Sequence, residues 1–157
     1  MGKYAQWITH KGQRILFLNA AGLREADYLA AQEELKQELL RELNGAMVLV
    51  DATKTEMTSA TVKNAKAVIT ATKAAGIPDR PSAVVGLTGL QRTTAELFGR
   101  GAHFTSSIEE AKDWLVKQDT KRRQSKHIAF LGWAESPPFS LFEMRFSGRM
   151  SPRNGSR

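Results

Sequence analysis

Thr58-Ser59-Ala60-Thr61 opens a helical pattern, and a hydroxyl at that place can do one of two things. It can cap the helix by accepting a backbone N–H, which is worth roughly 1 kcal/mol. It can also be a phosphorylation target, because phosphate there is stabilised by the helix dipole and by free amides. Ser59 is the candidate for modification, and Thr58 and Ser59 are both candidate anion- or ligand-binding positions. A second group is Gly86-Leu87-Thr88-Gly89, with Arg92 one turn later. A strand, a glycine turn and a helix N-terminus form a general anion site. Gly86 and Gly89 let backbone come close to a ligand, and Thr88 and Arg92 add polar contacts. The plainer account is a tight turn with a threonine cap. No Gly-x-x-x-x-Gly-Lys-Ser/Thr run is present, so a P-loop is excluded. Asp51, closing an apolar run, can pair with a cation or cap a turn, and the turn is the simpler role.

Catalytic chemistry is harder to assemble. The chain has no cysteine, which excludes disulfides, thiolate metal sites and cysteine nucleophiles and fits a cytoplasmic protein. His10, His103 and His127 stand in different elements, none with a ligand-like partner three or four residues away, so no metal and no cofactor are expected. There is no Gly-x-Ser-x-Gly elbow and no histidine placed to serve Ser59. Glu33/Glu34 and Glu109/Glu110 fall in exposed helix patterns, where they read as solvated faces or dipole partners. Without an acid, base and nucleophile in one place, the expectation is binding rather than catalysis.

These residues need a scaffold, and the apolar pattern supplies one. Tyr4 to Thr9 alternates, and Arg14 to Asn19 is a denser apolar run. His10-Lys11-Gly12-Gln13 between them predicts a hairpin turn, with Gly12 at positive φ. From about Glu25 to Leu43, Tyr28, Leu35, Leu39 and Leu43 recur at helical spacing, with acids and bases including Glu34 and Glu38 on the wet face. Asn44-Gly45 ends that helix. Ala46 to Val50 and Ser82 to Leu87 are continuous apolar runs, the pattern of strands buried on both faces. Between them a helix from about Ser59 to Ala75 carries Val62, Ala65, Ile69 and Thr72 on one stripe, and Gly76-Ile77-Pro78 stops it. A third helix is expected from Thr88-Gly89 through Leu90, Leu97 and Phe98. His103 to Thr105 is a short last strand, and Ser107-Ile108-Glu109-Glu110 is a capping box for a fourth helix. The order β-β-α-β-α-β-α-β-α implies a mixed, mostly parallel α/β sheet of about five strands with four helices.

These stretches resemble bacterial STAS/SEC14-type, SpoIIAA-like proteins. His10 to Leu18 looks like their opening hairpin, and Met47 to Asp51 is similar to their next strand. The most specific stretches are Ala83 to Leu90 and Ile108 to Leu115. The resemblance covers Lys3 to Gln118. It implies a SpoIIAA-like fold and a non-enzymatic role in binding a partner protein, with nucleotide or lipid binding in some members. Antagonists of anti-sigma factors are switched by phosphorylation of a serine in an Asp-Ser-Ser-Gly-type segment. Glu56-Met57-Thr58-Ser59-Ala60-Thr61 stands there in this chain and lacks both the Asp and the Gly. Asn19 stands where relatives tend to have Asp.

A domain over residues 1–118 and a basic Pro/Ser/Arg-containing tail over 119–157, disordered or loosely packed, are the expected organisation. Of the formal charge of +7, +6 comes from Lys121 onward, where eight Lys/Arg face two Asp/Glu. The preceding residues are close to neutral, which argues against nucleic-acid binding by the domain. Lys121-Arg122-Arg123-Gln124-Ser125-Lys126 is followed by Phe130, Leu131 and Trp133, then Phe139, Leu141, Phe142, Met144 and Phe146. Basic residues beside aromatics suit an acidic membrane surface or single-stranded nucleic acid. Apolar pieces also suit packing on the domain or a homodimer. Ile128 to Ala134 is too short to cross a bilayer, which takes about 20 residues. Residues 1–7 carry no secretory or myristoylation signal. The leading expectation is a regulatory or adaptor domain that binds a protein partner. The alternatives are a lipid- or nucleotide-binding domain, and membrane or nucleic-acid association through the tail.

Overall fold

The computed structural model describes residues 2–89, 91–92 and 101–135, with side chains up to Leu131. The strands are β1 (Ala5–His10), β2 (Gln13–Asn19), β3 (Met47–Asp51), β4 (Ser82–Val85) and β5 (Ala102–Thr105). The helices are α1 (Glu25–Arg41), α2 (Ser59–Ala74) and α3 (Ile108–Glu135). The chain divides into two units, Met1–Lys121 and Arg122–Arg157.

The five strands form one sheet in the order β1-β2-β3-β4-β5. Strands β1 and β2 pair antiparallel, and every later pair is parallel. Lys11 and Gly12, with φ of 49° and 75°, form the two-residue hairpin turn, so the glycine expected at positive φ is joined by a lysine. The sheet is the mixed, mostly parallel α/β sheet that the apolar runs imply. Three helices are described, where four were expected. The third of those four falls on residues 90 and 93–100, outside the described residues, although Gly89, Gln91 and Arg92 are helical.

Alternation along the strands divides the core between two faces. Leu16 and Leu18 of β2 pack with Tyr28, Ala31 and Leu35 of α1. Ile15 of β2, Met47 and Leu49 of β3, and Ala83 and Val85 of β4 pack with Ala111 and Leu115 of α3. His103 of β5 stacks on Trp114 of α3, with ring centroids 4.5 Å apart. On this face Asp113 takes His10 at 2.7 Å and Lys11 at 2.8 Å, tying the hairpin turn to α3. Hydrogen bonds from Lys11 and then His10 hold the Asp113 carboxyl below the usual carboxylate range.

Several local expectations change on contact with the rest of the chain. Helix α1 stops at Arg41, so Leu43, expected on its apolar stripe, is 74 % exposed. Glu34, expected on the wet face, accepts the backbone N–H groups of Lys3, Tyr4 and Ala5 at 3.2, 2.7 and 3.1 Å. Glu38 likewise accepts the Trp7 indole N–H. Half of the expected capping box forms at α3. Ser107 Oγ accepts the Glu110 N–H, but the Glu110 carboxylate takes the Thr105 hydroxyl at 2.8 Å instead of reaching back to the backbone. Helix α3 runs past Gln118 to Glu135, and Asp119, on its buried side, pairs with Arg80 at 2.8 Å. None of the described helices is long and apolar enough to cross a membrane.

Candidate functional site

The α1/α2 face of the sheet is not filled. Helix α2 leans on α1 through a polar bridge: buried Gln32 donates to the Thr61 carbonyl at 3.1 Å and accepts from Asn64 at 2.8 Å. Satisfied in this way, Gln32 incurs no desolvation penalty for an unpaired amide. Only Thr61 and Val68 of α2 are buried. The stripe of Val62, Ala65, Ile69 and Thr72 meets a cleft of about 280 Å³ rather than the sheet.

Short side chains on both sides leave this space. The floor is Leu18 of β2, Val48 and Val50 of β3, Ser82 and Val84 of β4, and Ala102 and Phe104 of β5. The roof is α2, and one wall is Tyr28, Leu35 and Leu39 of α1. Ala65 and Thr72 on the roof and Ser82 and Ala102 on the floor are among the small side chains that line it. The four charged residues lining it among the described residues are Lys66, Lys73, Asp79 and Arg80. Arg80 is committed to Asp119. Burial pushes the Tyr28 phenol above its ordinary value, partly offset by its hydrogen bond with Gln32, so at neutral pH it is an uncharged hydroxyl. No histidine lines the cleft among the described residues, so it offers shape and apolar area rather than a proton relay.

The sequence-derived candidates sit beside this cleft, at the carboxyl ends of β3 and β4, and none of them lines it. Their neighbours Met57 and Leu87 do. Asp51 accepts the backbone N–H of Thr53 at 3.0 Å and its hydroxyl at 2.6 Å, an Asx-type turn. Thr58 is the N-cap of α2. Its side chain accepts the Thr61 N–H at 3.3 Å, while Thr61 Oγ1 accepts the Thr58 N–H at 2.9 Å. Ser59 is the first helical residue and is exposed. Gly86, at φ 83°, gives its N–H to the Thr105 carbonyl. Thr88 and Gly89 are exposed, and the Arg92 guanidinium lies 6.0 Å from the Phe104 ring centre. The structure therefore gathers these residues along one edge of the sheet without joining them into a single chamber.

Sequence reasoning did not name the cleft residues as a site. The only available signal was the run of small residues along α2, set against the small side chains of Ser82 and Ala102. Among the described residues, no group of three or more His, Asp or Glu is placed to hold a metal ion.

No protein-family description matches the chain, and no curated protein matches it. Among solved structures, the chain is similar to an uncharacterized protein of the DUF3478 family from Shewanella loihica PV-4, described as having a SpoIIAA-like fold. The identity is 18 %, the TM-score is 0.51, and the match covers 71 % of this chain and 91 % of that one. The chain, with its single sheet in the order β1-β2-β3-β4-β5, therefore has a SpoIIAA-like fold.

Proposed function

We propose that this domain is a non-catalytic binding module whose cleft takes a single-chain lipid with an acidic end group. The cleft of about 280 Å³ between α2 and the sheet carries this reading. That volume sits at the small end of ligand sites, enough for part of an extended chain. Its lining is mostly aliphatic, and each apolar side chain that a ligand shields contributes about 25 cal/mol per Å² of area removed from water. Lys73 lines the cleft in the last turn of α2 and has no ion-pair partner among the described residues, so it can meet a carboxylate or phosphate. A nucleotide fits less well, because the lining is mostly aliphatic and its polar members Gln32, Thr61 and Arg80 are already bonded to other residues. A thermal-shift series with fatty acids, lysophospholipids and nucleotides tests the reading. Melting temperature should rise with the lipids and not with the nucleotides. A nucleotide-only response, or none at all, would remove it.

The SpoIIAA-like fold supports a second reading, a regulatory domain that binds a protein partner. In that reading Ser59 is the modification site, being exposed at the first turn of α2 beside the cap. A phosphate there would face the free amides of the helix start. Affinity capture with wild-type protein and with Ser59→Asp separates the two readings. A specific partner whose capture changes with that substitution supports regulation, and capture of nothing specific counts against it.

A further inference from the structure

We infer that the turns of α3 from Arg122 to Leu131 are a docking site for an anionic phospholipid surface. This inference does not depend on the cleft.

The first turns of α3 bury Ala111 and Leu115 against the sheet. From residue 123 to residue 131 every position is exposed. Ile128 is 68 %, Phe130 66 % and Leu131 46 % exposed, the largest group of exposed apolar side chains among the described residues. Ile128-Ala129-Phe130-Leu131 are consecutive, so at 100° per residue they surround the helix instead of lining one stripe. A helix turn that is apolar all round belongs inside a protein or in lipid.

The residues just before these apolar turns indicate which. Arg122, Arg123 and Lys126 precede the apolar turns within two helical turns, and His127 follows directly. Among the described residues Arg122 and Lys126 have no ion-pair partner. Charge and apolarity are thus segregated along the helix axis. A helix lying in the interface buries its apolar side chains roughly 5–10 Å deep, and the long stems of neighbouring Lys and Arg side chains let their charged heads reach back to the phosphates. From Lys121 onward the sequence carries eight basic and two acidic residues, a balance that favours an anionic surface.

The other occupants match less well. A second copy would bring one cationic turn against another. A nucleic acid would use the cations and aromatic stacking but would gain nothing from Ile128 and Leu131.

The test is flotation of the full chain with vesicles of equal parts phosphatidylglycerol and phosphatidylcholine, and with phosphatidylcholine alone. The protein should float with the first and not with the second. Each basic residue is worth about fivefold in affinity, so R122Q/K126Q should bind about 25-fold more weakly. I128S/F130S/L131S should lose flotation with an unchanged circular dichroism spectrum, because the replaced side chains are exposed. A cleft-filling substitution such as Ile69→Trp should leave flotation intact, which separates this proposal from the lipid-cleft reading. Three results would overturn the proposal: no flotation of the wild-type chain, flotation undiminished by the serine substitutions, or oligonucleotide binding at the same salt that survives them.

Discussion

Gly86 packs so tightly on Thr53 that a Cβ added to it would lie 2.7 Å from the Thr53 Cα and 2.8 Å from its Cβ. The turn after β4 and the turn after β3 therefore touch backbone to backbone, and Gly86 sits there at φ 83°. Gly86→Ala should lose about 2–4 kcal/mol, combining the positive-φ cost with a forced shift of Thr53. Gly12→Ala is the matched control, at φ 75° with nothing within 4 Å of the added Cβ, and should lose only about 1 kcal/mol. Urea denaturation of both variants checks the difference. Equal losses would mean that the Thr53 contact is not tight.

Thr58, not Ser59, caps α2. Thr58→Ala should destabilise the protein by about 1 kcal/mol, and Ser59→Ala by no more than a few tenths. Denaturant midpoints report both. A larger loss at Ser59 would reverse the assignment of cap and free hydroxyl.

Asp119 is 1 % exposed and pairs with Arg80, whose side chain is 18 % exposed. Asp119→Ala should cost about 3 kcal/mol, because it leaves a largely buried guanidinium without that carboxylate. A chain ended after Gln118 should show a similar loss in a thermal melt. If it melts like the full chain, Asp119 is not part of the packed body.

Glu34 provides a pH signature. Burial by itself would raise its carboxyl, but the N–H groups of Tyr4, Ala5 and Lys3, with the Lys3 charge, more than offset that and hold it below its ordinary value. A carboxyl depressed in the folded state stabilises the protein above the unfolded value of about 4.3, and that stabilisation disappears as pH falls through the folded value. Glu34→Gln should therefore lose about 1 kcal/mol at pH 7, discounted for its solvent exposure, and much less at pH 3. Denaturation at both pH values reads this directly, and a constant difference would contradict it.

These cases show which parts of the molecule were legible. The runs at Met47 to Val50 and Ala83 to Val85 announced parallel strands because every position is apolar: Met47, Leu49, Ala83 and Val85 are buried under α3, and Val48, Val50 and Val84 floor the cleft. Gly12 announced the hairpin because few residues tolerate its φ. Periodicity also found α2, but it reports which face is apolar and not what that face meets. The gap under Ala65 and Thr72 depends on the volumes of Ser82 and Ala102, which come from other strands. Glu34 looked solvated, and Asp119 fell in the expected tail, for the same reason: their partners, Tyr4 and Arg80, are 30 and 39 positions away. The candidates at Asp51, Thr58, Ser59, Gly86, Thr88, Gly89 and Arg92 were recognisable as strand-end residues. The local turn and cap roles seen for Asp51 and Thr58 come from bonds that their own neighbourhoods supply, whereas Gly86 bonds Thr105 and packs on Thr53, both distant in sequence.

Native mass spectrometry with a long-chain fatty acid tests the cleft most directly, comparing wild type with Ile69→Trp. Ile69 is 41 % exposed at the mouth of the cleft, so an indole there fills the space without disturbing the core. The wild-type chain should carry one bound fatty acid, and the tryptophan variant, folded, should carry none. Equal adducts on both proteins, or none on the wild type across a range of chain lengths, would contradict the account.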